Sequence, residues 1–259
     1  MTLRALVRQP SSRLADGLVT HIERRPIDIG RAREQWHGYV AALATTGWQT
    51  VEVPIAEDCP DSVFVEDSAV MFRDTAVIVR PGAPARRGEP AGTAETLRRL
   101  GYSVVEMADG TLDGGDILKI GDLVYVGRGG RTDAAGVAEF RRLLEPIGAH
   151  VVAVPLTKVL HLKSAVTALP DGTVIGYPPL VDDPAFFPHF RAMPEEGGSH
   201  VVDLGGGRVL MASSAPRSAE LIAALGFEVV TVDISEYEKL EGCVTCLSIR
   251  LRTPIPVAG

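Results

Sequence analysis

Four stretches of the chain share one layout, and that repetition limits the fold more than any other feature. They are VEDSAVMFRDTAVIVRPG (65–82), LDGGDILKIGDLVYVGRG (112–129), HLKSAVTALPDGTVIGYPP (161–179) and VVDLGGGRVLMASSAP (201–216). In each, a polar cluster opens an alternating apolar run, a short turn follows, and a second apolar run comes back. The turns are Arg73-Asp74, Ile120-Gly121-Asp122, Pro170-Asp171-Gly172 and Gly205-Gly206-Gly207. Gly, Asp and Pro supply the dihedrals of a tight reversal, so each stretch reads as a β-hairpin.

The segments after the hairpins recur too. AGTAETLRRLGY, TDAAGVAEFRRLLEPIG and APRSAELIAALGF have the spacing of amphipathic helices, whereas VDDPAFFPHFRAM is a poor helix broken by prolines. Short strands are expected after them at SVVEM, HVVAVP, HVVDL and EVVTVD. At the N-terminus RALVRQP reads as a strand, RAREQWHGYVAALATTGW as a helix and QTVEVPI as a strand; CLSIRL near the C-terminus is one more strand. The two ends together make a fifth unit, closed by pairing the first strand with the last. The expectation is an α/β fold of five strand-strand-helix-strand units around a central cavity, one propeller-like domain over residues 1–259.

Chemically capable residues recur at matching places in the units: Asp67, Asp113, His161, Asp203 and Cys246, separated by 46, 48, 42 and 43 residues. In a closed radial fold, equivalent positions face one axis. A thiol, an imidazole and carboxylates would then share a pocket without being neighbours in sequence, as a Cys–His catalytic pair requires. The acidic balance, net charge -7 and pI near 5.4, disfavours nucleic acid and anionic membranes as partners and suits a cationic small molecule. No apolar run is long enough to span a membrane and the N-terminus lacks a signal-peptide pattern, so the cytoplasm is the expected location.

Each candidate has a plainer reading. Cys243 and Cys246 form a C-x-x-C, the spacing of redox dithiols and half zinc sites. If CLSIRL is a strand, positions three apart face opposite sides and the thiols diverge. Four zinc ligands are also wanting, since Cys59 is the one further cysteine. Cys243 and Cys59 then read as buried, inert thiols. Asp113 and Asp116 flank two glycines in LDGGD, which is turn chemistry and also permits close backbone approach. Asp61, Glu66 and Asp67 in DSVFVEDS are either a cap or surface turn, or a carboxylate group awaiting a planar N–H fork such as guanidinium. Arg86, Arg87 and Arg131 lie in loops just after hairpins. They are either solvated or shaped to hold a substrate carboxylate.

Taken in order and spacing, FVED, RPG with its paired arginines, LDGGD, GRGGRT, HLKS and TCLS resemble the dimethylarginine dimethylaminohydrolase family, from about residue 3 to 252. The family is part of the guanidine-modifying superfamily, whose fold is a five-bladed αβ propeller. The resemblance implies hydrolysis of Nω-methylated arginines to citrulline and a methylamine, with no metal or organic cofactor. It implies Cys246 as nucleophile, His161 as acid and base, and Asp113 as the carboxylate orienting the histidine. It implies Glu66 and Asp67, with Asp61 nearby, as guanidinium carboxylates, and Arg86 and Arg131 as grips on the amino-acid end. Leu18 matches a lid residue, and Ser164, Leu240 and Glu241 match residues lining the pocket. The partner expected is a small cationic guanidino amino acid, acted on by a monomer or homodimer. An arginine deiminase-like hydrolase is the neighbouring alternative, disfavoured by Lys163, which stands where deiminases carry an aspartate. A non-catalytic propeller binding module is the more distant one.

Overall fold

A computed structural model of the protein describes residues 3–253. Its strands form five separate three-stranded sheets. β1 (Arg4–Val7) is followed by helix α1 (Ile29–Thr45) and by β2 (Gln49–Glu52), which pairs parallel with β1. α1 starts where it does because the Asp28 carboxylate accepts from the Arg31 amide at 3.0 Å, satisfying one of the free N–H groups of the first turn.

The next blade is β3 (Ala69–Phe72) hairpinned to β4 (Thr75–Ile78), then α2 (Pro90–Arg99) and β5 (Ser103–Glu106), parallel to β4. The third repeats it with β6 (Ile117–Ile120), β7 (Leu123–Arg128), α3 (Ala134–Leu144) and β8 (His150–Pro155). In the fourth, a single helical turn, α4 (Leu162–Ala165), leads into β9 (Val166–Ala168) and β10 (Val174–Gly176). No α-helix follows there; the prolines leave two 3-10 turns, Pro178–Leu180 and Pro184–Phe186. β11 (Phe190–Ala192) closes that sheet.

One expectation about this blade is corrected. HVVDL is not its third strand. It forms β12 (Val201–Gly205), which pairs antiparallel with β13 (Arg208–Ala212) as the hairpin of the fifth sheet. The reversal runs through three glycines, all at positive φ, which side-chain-bearing residues reach only under strain. α5 (Pro216–Ala224) and β14 (Glu228–Val232) complete that blade. A one-turn helix, α6 (Ser235–Glu238), leads back toward the start. β15 (Ile249–Leu251) then pairs antiparallel with β1, Arg4 opposite Leu251 and Leu6 opposite Ile249.

The result is a five-bladed αβ propeller whose first blade is made from both chain ends. Apolar packing runs between blades as well as within them: Leu6, Val65, Ala69, Leu97, Ile249 and Leu251 share one buried cluster across the closing blade and its neighbour. Burial of these side chains is what holds the ring shut. Among the described residues, no helix is long and apolar enough to cross a membrane.

Candidate active site

Each blade's first strand is preceded by a short turn of helix or a tight turn. Val65–Ser68 precedes β3, Gly114–Asp116 precedes β6, α4 precedes β9, Glu196–Ser199 precedes β12, and the turn at 244–247 precedes β15. Asp67, Asp113, His161 and Cys246 all lie in or at the start of these turns. Asp203 does not: it lies within β12, ion-paired to Arg252 at 3.3 Å, and its regular interval is coincidental.

The imidazole of His161 sits between two carboxylates. Nε2 is 3.0 Å from Asp113 Oδ2, and Nδ1 is 3.8 Å from Asp67 Oδ1. Two glycines make this approach possible. A Cβ on Gly115 would lie 2.6 Å from His161 Nδ1 and 2.7 Å from Asp67 Oδ1; one on Gly114 would lie 2.1 Å from the Glu66 carbonyl oxygen. The glycines of LDGGD thus admit the site's own side chains. Burial opposes charge on His161, but Asp67 and the hydrogen bond to Asp113 outweigh it and raise its pKa to about 9. Burial likewise opposes charge on Asp113, yet the His161 contact and Arg86 bring it down to about 2. At neutral pH the pair is therefore imidazolium and carboxylate.

Asp116, the second aspartate of LDGGD, is a positioning group whose sequence context shows only turn chemistry. It accepts from the Leu162 amide at 2.9 Å, just after His161, and from Thr132 Oγ1 at 2.5 Å, just after Arg131. Burial pushes its carboxyl up to about 6.

Cys246 lies in the turn before β15, and this corrects the strand reading. Its amide donates to the Cys243 carbonyl at 3.1 Å, and the two sulfurs are 3.3 Å apart. They converge instead of diverging. Hydrogen bonds within and from outside the segment fold it this way: its own Arg250 Nη1 donates to the carbonyls of Thr245 and Ser248, and Tyr39, from α1, donates to that of Val244. The thiols titrate as a pair. The hydrogen bond from Cys246 brings the Cys243 thiol down to about 5 against the opposition of burial, and the same bond, with burial, holds Cys246 well above the ordinary thiol range.

Glu66 joins this turn directly, its amide donating to the Cys246 carbonyl at 3.1 Å. Oε1 of Glu66 is held by Lys163 at 2.5 Å and Arg250 at 2.7 Å, while Oε2 is buried with no partner. Lys163, which in the sequence speaks only against a deiminase, here fixes a site carboxylate. Arg86 is fully buried among anions, with Nη1 on Asp67 at 2.6 Å and Nε and Nη2 on Glu89 at 2.9 and 2.7 Å. Glu89, three residues on, stands in no motif that would mark it. Arg131 makes a looser pair with Asp113 at 3.3 Å.

Three further residues belong to a latch. Asp61 accepts from the Leu18 amide at 3.0 Å, and the Glu241 carboxylate accepts from the amides of Thr20 and His21. Leu240 is buried beneath, 3.2 Å from where a Cβ on Gly17 would sit. These contacts hold segment 17–21 down; Cys246 itself is 6% exposed. Ser164 lines a cavity of about 480 Å³ with His21, Leu160, His200, Glu241 and Gly242. A second cavity of about 450 Å³ is lined by Glu66, Lys119, Lys163, Asp203 and Arg250. Among the described residues no group of three or more His, Cys, Asp or Glu is arranged to hold a metal ion.

A buried thiol, imidazole and carboxylates on an αβ propeller define the class, the guanidine-modifying propellers. Comparison narrows it. No family model matches the chain. The dimethylarginine dimethylaminohydrolase of Streptomyces coelicolor is 66% identical over 96% of this chain and 97% of its own length. That of Pseudomonas aeruginosa is 38% identical over 95% and 98%. A solved structure of a cysteine-to-serine mutant of the Pseudomonas enzyme, complexed with citrulline, superposes with a TM-score of 0.90 at 37% identity, covering 97% of this chain and all of that one. The chain belongs to the dimethylarginine dimethylaminohydrolase family.

Two outcomes test this geometry. Asp113→Asn removes the nearer charge, so the His161 pKa, followed by imidazole NMR, should fall from about 9 toward its ordinary value. His161 would then deprotonate at lower pH, and the alkaline limb of the kcat/KM profile should move down with it. Gly115→Ala should displace His161 or Asp67 at a stability cost of about 1–3 kcal/mol, measured by denaturant unfolding, and lower kcat more than it raises KM.

Proposed function

We infer that the protein hydrolyses Nω-methylated L-arginines, asymmetric dimethylarginine and monomethylarginine, to L-citrulline and methylamines. The observation that carries this reading is the junction of Glu66 and Cys246. The amide–carbonyl bond between them sets a carboxylate with a free buried oxygen beside a thiol. A guanidinium, planar and rich in N–H, satisfies that oxygen and presents its central carbon to sulfur.

The steps follow from the charges. Without substrate the pair's negative charge favours Cys243; a substrate cation at Glu66 and Asp67, two of the anions that hold the Cys246 thiol up, draws the charge onto Cys246 as its proton passes along the hydrogen bond to Cys243. Cys246 Sγ attacks the guanidinium carbon and gives a tetrahedral adduct. His161, protonated at neutral pH, donates to the departing methylamine, and the C–N bond breaks to leave a thiouronium on sulfur. The now neutral imidazole takes a proton from water, whose oxygen attacks the same carbon. Collapse breaks the C–S bond, releases citrulline and returns the thiolate and the imidazolium. Asp113 keeps the ring oriented throughout, as the third member of a triad does.

The substrate's own carboxylate falls to Arg131. Arg86 already spends Nε, Nη1 and Nη2 on Asp67 and Glu89, and its part is to hold Asp67 in place. Leu18, Asp61 and Glu241 serve as a lid and its latch, with Leu240 the seat beneath and Ser164 in the wall. The reading supposes a cytoplasmic monomer or homodimer acting on a free amino acid.

Citrulline release from asymmetric dimethylarginine should exceed that from arginine by roughly tenfold or more in kcat/KM, the size of discrimination a methyl-sized difference supports. Comparable or faster turnover of arginine would favour the deiminase-like alternative. Cys246→Ser should lower kcat by roughly 10³-fold or more, and Cys243→Ser far less, with both variants folded by circular dichroism. Equal losses would contradict the assignment of the nucleophile.

A further inference from the structure

We propose that Cys243 and Cys246 are a reversible oxidation site: a hydroperoxide converts the two thiols into an intrachain disulfide that switches the enzyme off. The loss of activity rests on Cys246 being the nucleophile; the disulfide itself does not.

The geometry is close to that of the bond. The sulfurs are 3.3 Å apart, and a disulfide needs about 2.0 Å. The turn that carries them, closed by the Cys246 amide on the Cys243 carbonyl, already brings both side chains to one side. Because hydrogen bonds from Arg250 and Tyr39 fix the backbone, closing the gap takes side-chain rotation within a turn that is already formed. Besides the Cys246 thiol, Cys243 Sγ has a hydroxyl neighbour, Thr245 Oγ1 at 3.2 Å, able to support a thiolate there. Cys59, the third cysteine, is buried elsewhere in the fold beside Gly88, and is an internal control.

The chemistry balances with a hydroperoxide as oxidant. The sulfur of Cys246, sharing the pair's negative charge through the hydrogen bond, attacks the peroxide, the O–O bond breaks, sulfur becomes sulfenic acid, and the leaving alkoxide or hydroxide takes a proton from solvent and departs as alcohol or water. The Cys243 sulfur then attacks the sulfenic sulfur, the S–O bond breaks, and hydroxide leaves as water with the pair's remaining proton. The two sulfurs have lost two electrons, which now reside in the reduced peroxide. A dithiol reductant reverses this by exchange. Without Cys243, the sulfenic acid has no near partner and proceeds to sulfinic acid, which thiols do not reduce.

The test uses the full chain, fully reduced, then treated with hydrogen peroxide, alkylated under denaturing conditions and mapped by mass spectrometry. The expected result is a peptide holding both Cys243 and Cys246 that is lighter by two hydrogens, with Cys59 still alkylated. Citrulline formation should fall in parallel and return with dithiothreitol. In Cys243→Ser, the peptide should gain oxygen on Cys246, and recovery with dithiothreitol should be roughly fivefold poorer relative to that variant's own starting rate. Oxygen added to Cys246 of the unaltered protein while Cys243 stays alkylatable would overturn the proposal, as would equal recovery in the two proteins. A disulfide that forms with no loss of turnover would uphold the oxidation site and remove Cys246 as nucleophile.

Discussion

The site depends on the balance of buried charge where the blades meet. Asp67, Asp113, Glu66 and Glu89 are buried carboxylates, and His161, Arg86, Arg131, Lys163 and Arg250 are set against them. None of these groups is tolerable alone at low dielectric, and removing one partner of such a pair costs about 3–5 kcal/mol. The network fixes protonation as well as position. His161 is charged because Asp67 and Asp113 flank it, and Asp113 is ionised because His161 and Arg86 are near. The imidazole proposed as the acid is thus charged before substrate arrives.

The propeller supplies the meeting point. Each blade delivers one turn ahead of its first strand, and the antiparallel pairing of β15 with β1 brings the last of these turns against the first. Cys246 and Glu66 are 180 residues apart in the chain and share a backbone hydrogen bond. The segment 17–21 is tied down by Asp61 and Glu241.

Much of the fold is legible in the chain because it is local. Hairpins declare themselves through alternation and through Gly, Asp and Pro at the reversals, and all four of the longer inter-strand helices, α1, α2, α3 and α5, follow from their spacing. The family resemblance then points to Cys246, His161 and Asp113, and the latter two meet in one hydrogen bond. The misreadings are non-local. HVVDL has the look of any short strand, and only pairing with β13 decides its blade. CLSIRL alternates like a strand throughout, yet Tyr39, 205 residues from Val244, joins the segment's own Arg250 in holding its first half as a turn in which the two thiols converge. Asp203 keeps the repeat interval but lies one strand too far along. Glu89, Asp116 and Lys163 carry no distinctive pattern; their importance comes from the side chains they meet.

Catalysis by this site requires that Cys246, seated against Glu66, be the residue that attacks a guanidinium carbon. The most direct measurement is mass spectrometry of the intact protein after reaction with an amidine bearing a leaving group on its amidine carbon, followed by peptide mapping. The expected result is one adduct per chain, on Cys246, that arginine-like ligands suppress and that Cys246→Ser lacks. An adduct on Cys243, or undiminished labelling of Cys246→Ser, would contradict it.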